Sequence, residues 1–243
     1  MKKSKTRIFV KKTISSNLLI YIKDKQYHFL KNVIRVKIND QIILFDGISG
    51  EWKSSVLTVN KDNIVLKVSE NISKIKNSND MWLIFAPIKQ HKMGITIQKA
   101  TELGVSKIIP CFTKYTSIRN ININNLVQNA IEAAEQSERV DIPQIEKGIN
   151  LEDLLSKWPV DRKLIFCDEK NDKGKMLIKS LVDLKKSNNK WGLLIGPEGG
   201  FSDEERKNLL NNKNVITVSL GSRVLRSDTA STVALYCIQE LLF

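Results

Sequence analysis

The chain has 243 residues, enough for one large domain or two small ones, and its 42% hydrophobic and 27% charged residues are ordinary for a globular protein. No apolar run reaches 18 residues, so no membrane-spanning helix is expected, and no apolar stretch of signal-peptide length follows the basic start Met1-Lys2-Lys3-Ser4-Lys5. The net charge of +13 is unevenly spread: residues 1–76 hold 16 Lys+Arg against 6 Asp+Glu, residues 77–243 hold 23 against 20. That asymmetry suits a polyanion-binding module beside a nearly neutral one. Codon bias toward Lys, Asn and Ile is the alternative source, but it would spread lysine evenly. Cys111, Cys167 and Cys237 are odd in number and far apart, which gives neither a metal-ligand pattern nor a disulfide framework. They read as buried thiols of a protein in a reducing cytoplasm.

In chain order, the first third reads as small β structure. Ile42-Ile43-Leu44-Phe45 is closed by Asp46-Gly47, a hairpin-type turn. Strands follow over Trp52–Val59 and Ile64–Val68, split by Asn60-Lys61-Asp62-Asn63. Closely spaced short strands suggest a compact barrel. Residues 70–80 are polar and aperiodic and read as a linker.

From Met81 the pattern changes. Met81–Ala86 is continuously apolar, as a strand buried on both faces should be. A helix over about Lys92–Leu103 stops at Gly104. Then alternate a strand at 107–111, a helix at 124–138, a strand at 164–167, a helix at 175–184, a strand at 191–195, a helix at 203–211, a strand at 215–220 and a helix at about 228–242. Such alternation predicts an α/β layer with a mostly parallel sheet.

Two loops carry chemistry. Ile195-Gly196-Pro197-Glu198-Gly199-Gly200-Phe201-Ser202 leaves a buried strand and enters a helix, with Ser202 and Glu205 spaced as a capping box. Its glycines allow close approach of backbone to a ligand, and it has neither Walker nor dinucleotide spacing. A tight turn without a ligand is the plain alternative. Leu220-Gly221-Ser222-Arg223-Val224-Leu225-Arg226 also follows a strand and leads into the last helix, which Ser227 and Asp228 can cap. The functional alternative places Arg226 and Asp228 at the mouth of the sheet beside the first loop. His28 and His91 lie outside both loops and are assigned structural or surface roles. Trp52, Trp82, Trp158 and Trp191 are assigned to the core rather than to base stacking.

The strings Gly196–Ser202, Leu220–Arg226 and Asp228-Thr229-Ala230, with Gln98–Val105, Glu132–Arg139 and, more loosely, Arg7-Ile8-Phe9, His28 and Ile34-Arg35, resemble the bacterial 16S ribosomal RNA uridine N3-methyltransferases of the SPOUT superfamily. The resemblance covers nearly the whole chain in the right order. Two departures stand out: Ser227-Asp228-Thr229-Ala230 replaces the family's Thr-Glu-Thr-Ala, a carboxylate one methylene shorter, and Asn39 stands where the family often has Gly.

The resemblance implies a PUA-like β-barrel over residues 1–72 that binds RNA, and an α/β SPOUT domain over 73–243 with a deep trefoil knot at about 164–232. It implies S-adenosylmethionine as cofactor, N3 of a specific uridine in small-subunit 16S RNA as target, a homodimer, and a place in the cytoplasm away from membranes. Carried over residue by residue, the cofactor site is Phe166, Cys167, Asp168, Ile195, Gly196, Pro197, Glu198, Gly199, Gly200, Leu220, Gly221, Val224, Leu225, Arg226, Thr229 and Ala230. Glu169 extends the wall begun by Phe166–Asp168. Arg226 is the candidate for charge stabilisation, and Asp228 and Glu198 are the candidate proton acceptors. RNA contacts are expected from Arg7, Lys11, Lys12, Arg35, Gln136 and Arg139. No metal is expected. The rival readings are a sister SPOUT enzyme acting on ribose or transfer RNA, and a non-catalytic RNA-binding protein of the same fold.

Overall fold

The computed structural model describes residues 6–76, 78–170, 175–184 and 190–243; the basic start at residues 1–5 lies outside them. The chain divides into two compact units, Met1–Asn77 with Ala134–Ile142, and Ser78–Ala133 with Pro143–Phe243.

The first unit is a five-stranded sheet in the order β1-β3-β4-β5-β2. Its strands are β1 (Arg7–Phe9), β2 (Leu19–Ile22), β3 (Gln41–Phe45), β4 (Glu51–Val59) and β5 (Ile64–Ser73). β1 runs parallel to β3 and every other pairing is antiparallel. The inward residues, among them Ile8, Ile22, Leu30, Leu44 and Leu66, form one buried cluster. Helix α1 (Asp24–His28) runs into a π-helical turn, Phe29–Ile34, that ends on Arg35 at φ 60°.

Two sequence expectations change here, and two strands are added. The stretch at 70–80 is not all linker, because β5 continues to Ser73, pairing Asn71 with Trp52 and Ser73 with Glu51. Its outer residues are polar because they face solvent. The Asp46-Gly47 turn is a longer loop built on one carboxylate: Asp46 accepts from the amides of Ile14, Ile48 and Ser49 and from the Ser49 hydroxyl. Strands β1 and β2, three and four residues long, carry too little pattern to be read from sequence. Asn39, at φ 72°, does take the left-handed conformation that its substitution for Gly requires.

The second unit is a parallel sheet in the order β12-β10-β11-β6-β7-β8, with β9 pairing the far end of β7. The strands are β6 (Met81–Phe85), β7 (Lys107–Phe112), β8 (Gln144–Ile145), β9 (Ile149–Asn150), β10 (Lys163–Cys167), β11 (Trp191–Ile195) and β12 (Val215–Val218). The helices are α2 (Gln90–Glu102), α3 (Ile123–Gln136), α4 (Leu151–Ser156), α5 (Leu177–Leu184), α6 (Asp203–Leu210) and α7 (Ser227–Leu242). β6, β10 and β11 are buried almost throughout, as continuous apolar runs between helical layers should be. Gly192 leaves space in β11 for the Trp158 ring, which an added Cβ would approach to 2.6 Å. Helix α2 stops as expected: Gly104, at φ 77°, donates to the Thr101 carbonyl and Val105 to that of Ala100, the paired bonds of a Schellman cap. Trp158 and Trp191 are core residues, while Trp82 is half-buried beneath the Arg162 guanidinium, 3.7 Å from its ring centre.

Two arginines expected to touch RNA are consumed inside the first unit. Arg7 has a side chain 5% exposed, pairs with Glu51 at 2.7 Å, and donates to the carbonyls of Ala134 at 2.9 Å and Arg139 at 3.0 Å. Arg139, 8% exposed, forks onto both oxygens of Asp141 at 2.8 and 3.0 Å. Their donors tie the segment Ala134–Asp141 to itself and to β1, so neither presents a free guanidinium to phosphate. Lys11, Lys12, Arg35 and Gln136 are exposed. Removing one partner of a buried ion pair strands the other, so Arg7→Ala should lower the unfolding free energy by about 3 kcal/mol. Lys11→Ala should change it by less than about 0.5 kcal/mol; paired urea denaturations compare the two.

Candidate active site

Three neighbouring strands, β12, β10 and β11, run parallel, so their carboxyl ends open at one side of the sheet. Open α/β sheets place ligands at such strand ends. Here the three exits come together around a cavity of about 370 Å³, within the range of small-molecule sites. β10 supplies Cys167, Asp168 and Glu169; β11 supplies Ile195 through Glu198; the exit of β12 supplies Ser219 through Arg226, and the start of α7 adds Ser227 and Ala230.

Of the residues expected at a cofactor, Cys167, Asp168, Ile195, Gly196, Pro197, Glu198, Leu220, Gly221, Val224, Leu225, Arg226 and Ala230 line this cavity. Phe166, Gly199, Gly200 and Thr229 do not. Phe166 is fully buried, edge-on to Phe201 with ring centres 5.0 Å apart, so it supports the wall from behind. Gly200 takes φ 69°, and its amide donates to the Pro197 carbonyl, closing the turn at the loop tip. Gly196 has no room for a side chain, since a Cβ would meet the Phe201 ring at 2.4 Å. Gly221, at φ 122°, faces open space.

The two loops are tied directly. The Ser227 hydroxyl donates to the Gly196 carbonyl at 3.1 Å. This corrects the assignment of Ser227 and Asp228 as caps: α7 begins at Ser227, its N-cap is Arg226, and no side chain caps it. Sequence spacing could not separate the two roles, because a hydroxyl at a helix start serves either. The capping box of α6 is as expected, with the Glu205 amide donating to Ser202 Oγ and the Ser202 amide to Glu205.

The charged groups have distinct settings. Asp168 is buried and bound by the Arg206 Nε at 2.8 Å. Glu198 receives the Lys92 ammonium at 2.6 Å. That hydrogen bond, with the charges of Lys92, Lys89 and Arg226, holds the Glu198 carboxyl below the usual range. A carboxylate so held is a weaker proton acceptor than a free one. Asp228 contrasts with it: its Oδ1 is buried without a hydrogen-bond partner among the described residues. Arg226 is exposed on the cavity rim. Burial pushes the Cys167 thiol well up, so it contributes shape to the wall rather than a nucleophile. Burial pushes Cys111 up to about 12. Among the described residues no cluster of His, Cys, Asp and Glu is arranged to hold a metal, and His28 and His91 are exposed. Ser222 and Arg223 lie in the second loop but were not assigned to the cofactor from the sequence, and Ser219 and Ser227 were missed because small hydroxyl residues carry no distinguishing signal there. Lys92 was missed because its partner lies 106 positions away.

Comparison with known proteins agrees with this architecture. Residues 76–239 match an RNA methyltransferase domain model, and residues 22–69 match an RNA methyltransferase PUA domain model. The chain is 34% identical over 97% of its length to ribosomal RNA small subunit methyltransferase E of Rickettsia conorii, covering 95% of that protein. It is 30% identical over 98% of its length to the protein of the same name from Buchnera aphidicola, covering 97% of that one. Among solved structures, ribosomal RNA small subunit methyltransferase E of Neisseria gonorrhoeae, bound to S-adenosyl methionine, superposes with a TM-score of 0.85 at 26% identity, covering 98% of both chains. With both halves of its length matched, this chain belongs to the ribosomal RNA small subunit methyltransferase E family.

Proposed function

We propose that the protein transfers a methyl group from S-adenosylmethionine to N3 of a specific uridine in the 16S RNA of the small ribosomal subunit. The observation that carries this reading is the cavity itself. It is lined by the ends of three strands, with Asp168, Glu169 and Glu198 among its residues and Arg226 exposed at its edge. This lining fits the cofactor chemically. Loop amides and carbonyls are fixed donors and acceptors for an adenine edge, with little side-chain entropy to lose. The carboxylates suit a ligand that carries a sulfonium and an amino group. The Ser227–Gly196 bond holds two of the walls in place before anything binds.

When bound, the cofactor supplies a methyl group on a sulfonium whose departure leaves a neutral thioether. The uridine is the harder partner, since its N3 carries a proton and is a poor nucleophile until that proton leaves. As that proton leaves, negative charge builds on the uracil oxygens, and it is consumed when N3 takes the methyl group. Arg226 stabilises that charge. Asp228, with one oxygen unpartnered, is the carboxylate assigned to take the N3 proton. Because N3 is hidden in a base pair, the substrate base is unpaired or flipped out. The basic first unit holds the RNA by phosphate contacts from exposed Lys11, Lys12 and Arg35. The proposal includes the trefoil knot over about residues 164–232, a rarity among folds. It also includes a cytoplasmic homodimer that covers the exposed apolar residues Val233 and Tyr236 of α7.

The test is methyl transfer from labelled cofactor to small subunits and free 16S RNA of a strain lacking the gene, followed by nucleoside analysis. N3-methyluridine at one position is expected; label on ribose or another base would reassign the target. Arg226→Ala should lower kcat by roughly 100-fold with RNA affinity unchanged, and full turnover in that variant would remove the assigned role. RNA affinity should fall steeply with salt, by roughly tenfold or more between 50 and 200 mM; a flat response in filter binding would take the RNA contacts away from the basic unit.

A further inference from the structure

The Lys92–Glu198 ion pair joins two loops that exit adjacent strands. β6 and β11 pair in register from Met81–Trp191 to Phe85–Ile195, and the Ala86 amide extends the pairing to the Ile195 carbonyl. Beyond that point the chains diverge. One enters α2 within a few residues, where Lys92 is fixed in the first turn, its amide donating to the Lys89 carbonyl at 2.9 Å. The other becomes the glycine-rich loop on the cavity wall. Its ends are anchored, Gly196 by the Ser227 hydroxyl and Phe201 by burial against Phe166. Its tip, Pro197-Glu198-Gly199-Gly200, has Glu198 as its one charged side chain, and two glycines make that tip inherently loose.

Lys92 is poorly placed for helix stability alone. The first turn of α2 holds no acidic residue and no side-chain cap, so an ammonium there meets the positive end of the helix macrodipole. Its side chain is 17% exposed and that of Glu198 is 59% exposed, so the lysine is the partner drawn out of water to reach the loop. A local cost without a local gain is the mark of a residue selected for something other than stability.

We infer that Lys92 is a positioning residue of the methyl-donor cavity: through its ion pair with Glu198 it fixes the tip of the glycine-rich loop in the shape the cofactor needs. The inference rests on the reading of this cavity as the methyl-donor site. Ordering a loose tip during binding costs affinity, and a tip ordered beforehand avoids that cost. Lys92 touches neither the cavity nor the reacting atoms and acts through Glu198.

The test compares wild type, Lys92→Met, Lys92→Arg, Glu198→Gln and the charge exchange K92E/E198K, with two readouts. In the ligand-free protein, hydrogen exchange at the Gly200 amide, which donates to the Pro197 carbonyl, should speed up by roughly fivefold in Lys92→Met and in Glu198→Gln, while amides of β6 and α7 stay as in wild type. S-adenosylhomocysteine affinity should fall by a similar factor in both, and Lys92→Arg should restore most of it; the charge exchange should restore slow exchange at the tip but not affinity, because it places an ammonium on the cavity wall. Exchange at the loop tip unchanged in Lys92→Met overturns the inference, and so does a charge exchange that leaves the tip as fast as the single variants. If Lys92→Met does not fold, Glu198→Gln carries the same comparison from the surface side. Failure of the wild-type protein to bind S-adenosylhomocysteine would instead sink the methyl-donor reading, and the exchange data would still decide whether Lys92 orders the loop.

Discussion

The site depends on three parallel strands ending side by side. β10 lies between β11 and β12, with Phe166 opposite Leu194 on one side and Cys167 opposite Val218 on the other. Each strand is too apolar and too well paired to slip, and a slip of one residue would turn every side chain to the wrong face. That register delivers three loops, from positions 167–169, 195–198 and 219–226, to one cavity. The Ser227–Gly196 hydrogen bond then joins the second loop to the third. The strands fix where the loops begin and the cross-loop contacts fix their course, and a cavity preformed in this way binds without a large ordering cost.

Charge is used differently in the two units. In the first, the net positive charge is not a uniform supply of RNA contacts. Arg7 and Arg139 are drawn inward, where their guanidinium groups satisfy backbone carbonyls and carboxylates. Lysines and Arg35 are left outside to present charge to solvent. This division follows from side-chain chemistry, since a planar fork with five donors can satisfy several acceptors at once and a lysine cannot. In the second unit, cations surround one acidic group. Lys92, Lys89 and Arg226 all act on Glu198 and hold its carboxyl below the usual range. Asp228, by contrast, has a buried carboxylate oxygen without a hydrogen-bond partner among the described residues.

Much of this was legible in the sequence wherever a local pattern determines structure. Continuous apolar runs located β6, β10 and β11, a Gly after a periodic segment located the end of α2, and Ser-x-x-Glu spacing located the cap of α6. Asn39 was readable as a left-handed residue because few side chains tolerate that conformation. What escaped were features defined by partners remote in sequence. β1 is three residues long and exists through its parallel pairing with β3. Arg7 looked like an RNA ligand until its partners near position 135 were in view. Ser227 looked like a cap, and Lys92 carried no signal at all. In each case the tertiary neighbour, absent from any sequence window, decides the role.

The account is tested most directly by a crystal structure of the protein with S-adenosylhomocysteine, refined without prior placement of the ligand. It predicts density in the cavity between Asp168, Gly196 and Leu225, with the adenine bonded to loop backbone and the sulfur turned toward the side where Arg226 stands. Density elsewhere, or an empty cavity at saturating ligand, would contradict the assignment of these three strand ends as the methyl-donor site.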